Sequence, residues 1–461
     1  MNTTKSITSN LTRRDFLKKS TIAMGSLGIL GSMVNSCSLL KQTAQPNILI
    51  IVADDAGWKD VGYHDSEIQT PHIDKLIETG VELDQFYVFP TCSPTRASLL
   101  TGRYASRFGI AGPITMKSKQ ALPPDVLTLP ELLRQNGYAT AITGKWHLGL
   151  RPESGPRQYG FEYTYGYLHG QIDQYTHKYK NGDRSWHRND KLIDEEGHAT
   201  DLITNEAQKY ITQLRDKSNP FFLYVAFSVP HYPVQEEEKW IKPYESIENE
   251  SRRLFAASVA HMDDAIGQLI QTLEDENLRE NTLVIFISDN GAQESWSPTF
   301  EYEMRHGPYD RLGDNGDLRD WKVSLYEGGI RVPAVVNWPA QLDPRKEKQM
   351  LHINDIYPTV ASLAKAKITD ELKLDGNNIW QTLKNGKNLK DRVLYLRTDN
   401  QIILRIGDWK LVHRVEISKD GKDELYNIAK DPFEKDNVID AHPKIVEKLN
   451  TALKHHMAID G

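Results

Sequence analysis

The stretch Phe89–Tyr104, FPTCSPTRASLLTGRY, contains Cys92, one of only two cysteines in 461 residues. A solitary cysteine is ordinarily a small buried apolar side chain. Its neighbours argue for chemistry instead. Pro94 cannot continue a strand and restricts Ser93, so Cys92 should lead into a helix beginning near Pro94, with Ala97–Leu100 as its body. The positive end of that helix would favour an anion beside Cys92 and Arg96. Two further motifs, Asp54-Asp55 and Asp289-Asn290, each follow an apolar run and together offer four oxygen-bearing side chains. Acid pairs in loops are commonly just solvated, but two pairs at the ends of buried strands need a cation to relieve their repulsion. Oxygen donors of this kind suit Ca²⁺ better than Zn²⁺. Lys145 and His147 lie in Gly144-Lys145-Trp146-His147-Leu148-Gly149, whose flanking glycines let backbone approach a ligand closely. His231 follows Pro230, and Lys322 follows Trp321. A lysine near a turn is usually solvated and a strand-end histidine usually structural, so these residues gain weight only from their company.

The elements that would position them alternate. Asn47–Ala53 (NILIIVA), Pro220–Ser228 (PFFLYVAFS) and Thr282–Ser288 (TLVIFIS) are continuous apolar, β-branched or aromatic runs, the pattern of strands buried on both faces. Helical periods are expected over 71–79, 128–136, 201–214 and 251–275, which makes an α/β fold with a large, mostly parallel sheet flanked by helices. Ligands in such sheets collect beyond the carboxyl ends of the strands, where the acid pairs and His231 fall. From about Arg392, short strands joined by turns and a helix over 443–457 indicate a small antiparallel sheet plus a helix. Residues 153–198, rich in Tyr, His, Gly and Asp, are expected to be loop-rich, with Tyr165–Gly170, Tyr175 and His177 either packing in the core or, with 296–317, forming a substrate wall.

Bulk properties exclude some classes. A net charge of -7 and no dense Lys/Arg run argue against nucleic-acid binding. Thr12-Arg13-Arg14-Asp15-Phe16-Leu17-Lys18 before a short, weakly apolar run has the layout of a twin-arginine export signal rather than of a membrane span. Val34-Asn35-Ser36-Cys37 resembles a bacterial lipoprotein cleavage box, with Cys37 as the lipidated residue, although Asn35 departs from that pattern. Lipid anchoring and simple cleavage with secretion both remain open. The expected organisation is a signal over 1–36, a tether over 37–45, a catalytic α/β domain over 46–388 and an antiparallel C-terminal subdomain over 389–461. The product would be an exported, periplasmic or cell-surface protein, touching the membrane only where Cys37 is lipidated.

Cys92-Ser93-Pro94-Thr95-Arg96, followed by Ser98-Leu99-Leu100-Thr101-Gly102-Arg103, resembles the signature of the type I sulfatases. Ala53-Asp54-Asp55, Gly144–Gly149, Pro230-His231, Ser288–Gly291 and Trp321-Lys322 before Glu327-Gly328-Gly329 follow in family order, with spacing similar to N-acetylgalactosamine-4-sulfatase (arylsulfatase B)-like members. The resemblance implies an alkaline-phosphatase-like fold and oxidation of Cys92 to formylglycine (3-oxoalanine) by a formylglycine-generating maturation enzyme. It further implies that Asp54, Asp55, Asp289, Asn290 and an oxygen of the hydrated aldehyde at position 92 bind Ca²⁺, and that Lys145 and Lys322 bind the sulfate. One hydroxyl of the diol, held by Arg96, would attack sulfur. His231 would protonate the leaving oxygen, and His147 would deprotonate the second hydroxyl to expel sulfate. The implied substrate is a sulfated polysaccharide or its oligosaccharides, a glycosaminoglycan or an algal polymer. The alternatives are a phosphate or phosphonate monoester hydrolase of the same fold, and a non-catalytic glycan-binding lipoprotein.

Overall fold

The computed structural model describes residues 45–116, 118–390, 392–415 and 422–460. The expected export signal and Cys37 lie outside the described residues. Residues 45–461 form one compact unit. Its main sheet contains β1 (Asn47–Asp54), β2 (Val81–Tyr87), β3 (Ala139–Lys145), β4 (Tyr163–Tyr167), β5 (His187–Arg188), β6 (Lys191–Leu192), β7 (Phe221–Pro230), β8 (Thr282–Ser288), β9 (Ala334–Asn337) and β10 (Arg345–His352). The spatial order is β10-β2-β9-β8-β1-β7-β3-β4-β5-β6. Pairing is parallel through the centre, from β8 across β1, β7 and β3 to β4, and β9, β5 and β6 join antiparallel. A second sheet, β11 (Val393–Arg397), β12 (Gln401–Ile406), β13 (Trp409–Arg414) and β14 (Glu424–Asn427), is antiparallel throughout and is followed by the helix Pro443–Met457.

Alternation within the central strands explains why their sequences are apolar end to end. Ile48, Ile50 and Val52 of β1 join Tyr224 and Ile285 in one core, which extends to the helix Cys92–Thr101 and the second sheet. Leu49, Ile51 and Ala53 join Val225 and Phe286 in a second core on the opposite face, closed by the helices Ala199–Lys209 and Glu250–Asp275. Each fully buried Ile, Leu or Phe stabilises this arrangement by about 1.5–3 kcal/mol. A polar residue at either set of positions would therefore cost both packing and desolvation.

Register brings the chemistry together. β1 pairs with β8 so that Ala53 faces Ser288, and with β7 so that Asp54 faces Pro230 across an irregularity after Val52. The acid pairs and His231 therefore emerge side by side at one rim, as expected. Three local expectations are corrected. The helix begins at Cys92 rather than near Pro94, with Thr91 before it, because a proline in the first turn removes only an N–H that has no helical partner anyway. The expected helix over 201–214 starts earlier, at Ala199, and its last turn is a π-helix over Tyr210–Leu214. Residues 153–198 are not simply loop, since β4 extends the main sheet beside β3 and β5 and β6 follow it.

Candidate active site

Cys92 is the first residue of its helix and Arg96 lies one turn on, so both project from one face; all ten residues of this helix are buried. Ser93 and Thr95 seat the turn. Ser93 Oγ donates to His147 O at 2.9 Å and accepts from Ile114 N at 3.1 Å, while Thr95 Oγ1 accepts from Phe89 N at 3.0 Å. Cys92 Sγ lies 3.1 Å from His147 Nδ1, and His147 Nε2 lies 3.0 Å from Ile114 O. A carbonyl can only accept, so Nε2 carries the proton and Nδ1 turns its lone pair toward residue 92. Burial first, then Lys145, holds the imidazole well below the ordinary histidine range. Burial also pushes the Cys92 thiol up. The pair is therefore a neutral base beside a neutral thiol rather than a thiolate–imidazolium couple, and Cys92 as it stands is a poor nucleophile.

Around this pair, three carboxylates meet three cations. Arg96 donates to Asp289 Oδ2 from Nε at 3.0 Å and from Nη2 at 2.7 Å, and from Nη1 to Lys145 O at 3.1 Å and Tyr224 OH at 3.3 Å. Lys145 Nζ donates to Asp54 Oδ2 at 2.6 Å, and Lys322 Nζ lies 2.6 Å from Asp55 Oδ1. Burial pushes the Asp54 carboxyl up to about 7 against the pull of Lys145. Burial opposes ionisation of Asp55 as well, but Lys322 and His231 outweigh it and hold that carboxyl at about 2. His231 Nδ1 donates to Tyr232 O at 2.7 Å, leaving Nε2 3.6 Å from Asp55 Oδ2, and burial followed by Lys322 keeps the ring well below its usual range.

The ten residues expected to react, to bind sulfate or to hold the metal are thus in one cluster, with Asn290 joined to it through Asp55. The contacts differ from expectation in two respects: Arg96 grips Asp289 rather than residue 92, and the two lysines expected to face sulfate bond to the acid pairs. Cation matching removes most of the repulsion among the acids, so the case for a metal rests on particular atoms. Asp54 Oδ1 and Asn290 Oδ1 are buried without a hydrogen-bond partner among the described residues. Asn290 is oriented by its own Nδ2, which donates to Asp55 Oδ1 at 2.7 Å. Two unpaired oxygens, one of a carboxylate and one of an amide, beside the Asp55 carboxylate fit a hard divalent cation. The partners that sequence reading missed are Tyr224, the Ile114 carbonyl and Ser93, and only Ser93 lay inside a recognised motif.

A large, mostly parallel sheet flanked by helices, with an acid-rich rim at its strand ends, is an α/β fold of the alkaline-phosphatase-like class, as its structural neighbours also are. Comparison narrows this: residues 46–366 match the sulfatase family model and residues 319–459 that of the N-sulphoglucosamine sulphohydrolase C-terminal region. The chain belongs to the sulfatase family and is a sulfuric ester hydrolase. It is 32% identical to arylsulfatase J of Mus musculus, over 88% of this chain and 75% of that protein. It is 28% identical to an N-acetylgalactosamine-6-O-sulfatase of Bacteroides thetaiotaomicron, over 90% of this chain and 93% of that protein. The solved structure of Ps i-CgsB in complex with k-i-k-neocarrahexaose superposes with a TM-score of 0.82 at 30% identity, covering 90% of this chain and 94% of that one. Relatives that act at the 6-position show that the resemblance to 4-sulfatases marks the family and not the position cleaved.

Proposed function

We propose that the protein removes sulfate groups from a sulfated polysaccharide or its oligosaccharides, using formylglycine made from Cys92 and a Ca²⁺ ion held by Asp54, Asp55, Asp289 and Asn290. Relatives named for N-acetylgalactosamine sulfate, and one bound to a neocarrahexaose, support a glycan substrate of the glycosaminoglycan or algal type. The observation that carries the reading is Cys92 itself, buried at a helix N-terminus against the bare Nδ1 of His147, with its thiol pushed away from ionisation. In that place Sγ stands in for a hydroxyl on the hydrated aldehyde. Once hydrated, the aldehyde would offer two hydroxyls on one carbon, and a Ca²⁺ ion held by Asp54, Asp55, Asp289 and Asn290 would supply Lewis acidity beside them.

The remaining work belongs to the chain. His147 Nδ1 is placed to take a proton from a hydroxyl on residue 92, with Ile114 O fixing the tautomer. Lys145 spends one N–H on Asp54 and Lys322 lies within 2.8 Å of both Asp55 oxygens, which leaves each ammonium at least one N–H for ester oxygens. Arg96 holds Asp289 in place rather than touching substrate. His231, neutral in this state, must gain a second proton to serve as the acid; an arriving anion beside it favours that gain. Carboxylates and cations balance here, so a bound divalent ion leaves positive charge that an anionic ester offsets. Maturation by a formylglycine-generating enzyme, export through the twin-arginine machinery and a lipid on Cys37 belong to the same reading.

The test is intact-mass analysis of the Cys92 peptide from protein produced with its maturation enzyme, before and after carbonyl-reactive labelling. Turnover of aryl sulfate and aryl phosphate is compared in parallel. The expected result is a labelled aldehyde and preferential sulfate release; an unmodified thiol in fully active protein would overturn the mechanism, and preferential phosphate release would overturn the substrate class.

A further inference from the structure

His169 lies on the segment that braces the catalytic histidine from outside. His147 N donates to Leu168 O at 3.1 Å, and a side chain on Gly170 would collide with the His147 ring, so the residues on both sides of His169 touch His147. The His169 ring itself stacks on Tyr179 at 4.4 Å, with the planes 24° apart. His169 is only 6% exposed, yet its Nδ1 is buried without a hydrogen-bond partner, and Nε2 has none among the described residues either. A buried ring nitrogen without an acceptor is less costly as a bare lone pair than as an N–H, which leaves the proton on Nε2. Burial holds the imidazole at about 4, so the ring is neutral when the enzyme works.

Its surroundings suit a sugar. The phenols of Tyr179 and Tyr232 lie within electrostatic reach of Cys92. Tyr232 stacks on Trp296 at 4.3 Å. The wall is braced from the other loop: Tyr302 N donates to Lys180 O at 2.8 Å, Gln171 Nε2 donates to Tyr302 OH at 3.2 Å, and His306 Nε2 lies 2.8 Å from Asp173 Oδ2. An uncharged donor on an aromatic wall, next to a cluster that already handles the anion, is suited to the neutral part of the substrate.

We propose that His169, propped on Tyr179, is a specificity-determining residue that donates from Nε2 to an uncharged hydroxyl or ring oxygen of the sugar carrying the sulfate. This rests on the glycan-sulfatase reading above. The test compares His169→Gln, which can return an N–H close to the Nε2 position, with His169→Asn, which is too short to do so. Each is assayed at known formylglycine occupancy on an aryl sulfate and on position-defined sulfated carrageenan and glycosaminoglycan oligosaccharides. The quantity read is kcat/KM on the best oligosaccharide divided by kcat/KM on the aryl sulfate. His169→Asn should lower this ratio about tenfold, the worth of one neutral hydrogen bond, and His169→Gln should recover most of it. Equal ratios in both variants and the wild type would overturn the role of His169 while leaving the glycan reading intact. Wild-type enzyme that turns over aryl sulfate but none of the oligosaccharides would overturn both.

Discussion

Replacing Gly170 by alanine tests whether the position of His147 controls the rate. A Cβ built on Gly170 would lie 2.5 Å from His147 Cε1, 2.7 Å from Nε2 and 3.2 Å from Nδ1. Carbon atoms in ordinary contact sit about 3.5–4.0 Å apart, so the ring must retreat by about 1 Å. It cannot do so without loss, because Nδ1 is 3.1 Å from Cys92 Sγ and Nε2 is 3.0 Å from Ile114 O. A displacement of about 1 Å at a reacting group costs about 100-fold in rate. The effect on folding should be small by comparison: overpacking costs about 1–3 kcal/mol, and loss of glycine freedom in the unfolded chain returns about 0.4–1 kcal/mol. The assay is kcat on an aryl sulfate with formylglycine occupancy measured by mass, alongside thermal unfolding. Gly112→Ala is the control, since among the described residues nothing lies within 4 Å of its Cβ. Gly144→Ala is the opposite limit, for its Cβ would meet Ala226 O at 1.8 Å at φ +106, and the central sheet should not form correctly. A fully matured Gly170→Ala enzyme with kcat within threefold of wild type would refute the claim that this ring must stay where it is.

Arg96→Met should destabilise the fold by about 3–5 kcal/mol in chemical denaturation, because it leaves the buried Asp289 carboxylate unpaired, whereas Arg96→Lys should lose less. His231→Asn should slow sugar sulfates about 100-fold or more yet affect an activated aryl sulfate far less; equal losses on both would argue against a general acid. His261, which has Glu236 at 2.8 Å and Asp201 at 3.1 Å, with His198 and Lys239 nearby, is raised to about 9 by these acids despite its burial. A folded value above the unfolded one means that its stabilisation, about 3 kcal/mol, is complete below the unfolded value of about 6.5 and disappears as pH rises through about 9. His261→Gln should remove that slope from the stability–pH profile. EGTA should abolish turnover and added Ca²⁺ should restore it, with the acid–amide oxygen set favouring Ca²⁺ over Zn²⁺.

The parts of this site that were legible in the sequence are those that local physics dictates. NILIIVA, TLVIFIS and PFFLYVAFS carry the pattern of strands buried on both faces, and two-sided burial forces their polar residues to the ends, which puts Asp54, Asp289 and His231 on one rim. The shared helical face of Cys92 and Arg96 was not legible in the same way, because the proline pointed to a helix starting near Pro94 and the helix in fact begins at Cys92. β4 escaped notice because Tyr-Thr-Tyr-Gly-Tyr lies in a stretch whose glycines and charges carry no clean period, and its pairing with β3 is a tertiary choice. Protonation was equally hidden. His147 is a base because the carbonyl of Ile114, 33 residues earlier in the chain, occupies its other nitrogen, and nothing in the pattern around residue 114 marks that duty. Backbone groups carry no residue identity, so a motif can name the side chains that react while the fold alone decides which of their atoms hold protons. For this reason Ile114, though it contributes only a carbonyl, bears as directly on the chemistry of residue 92 as any residue in the signature.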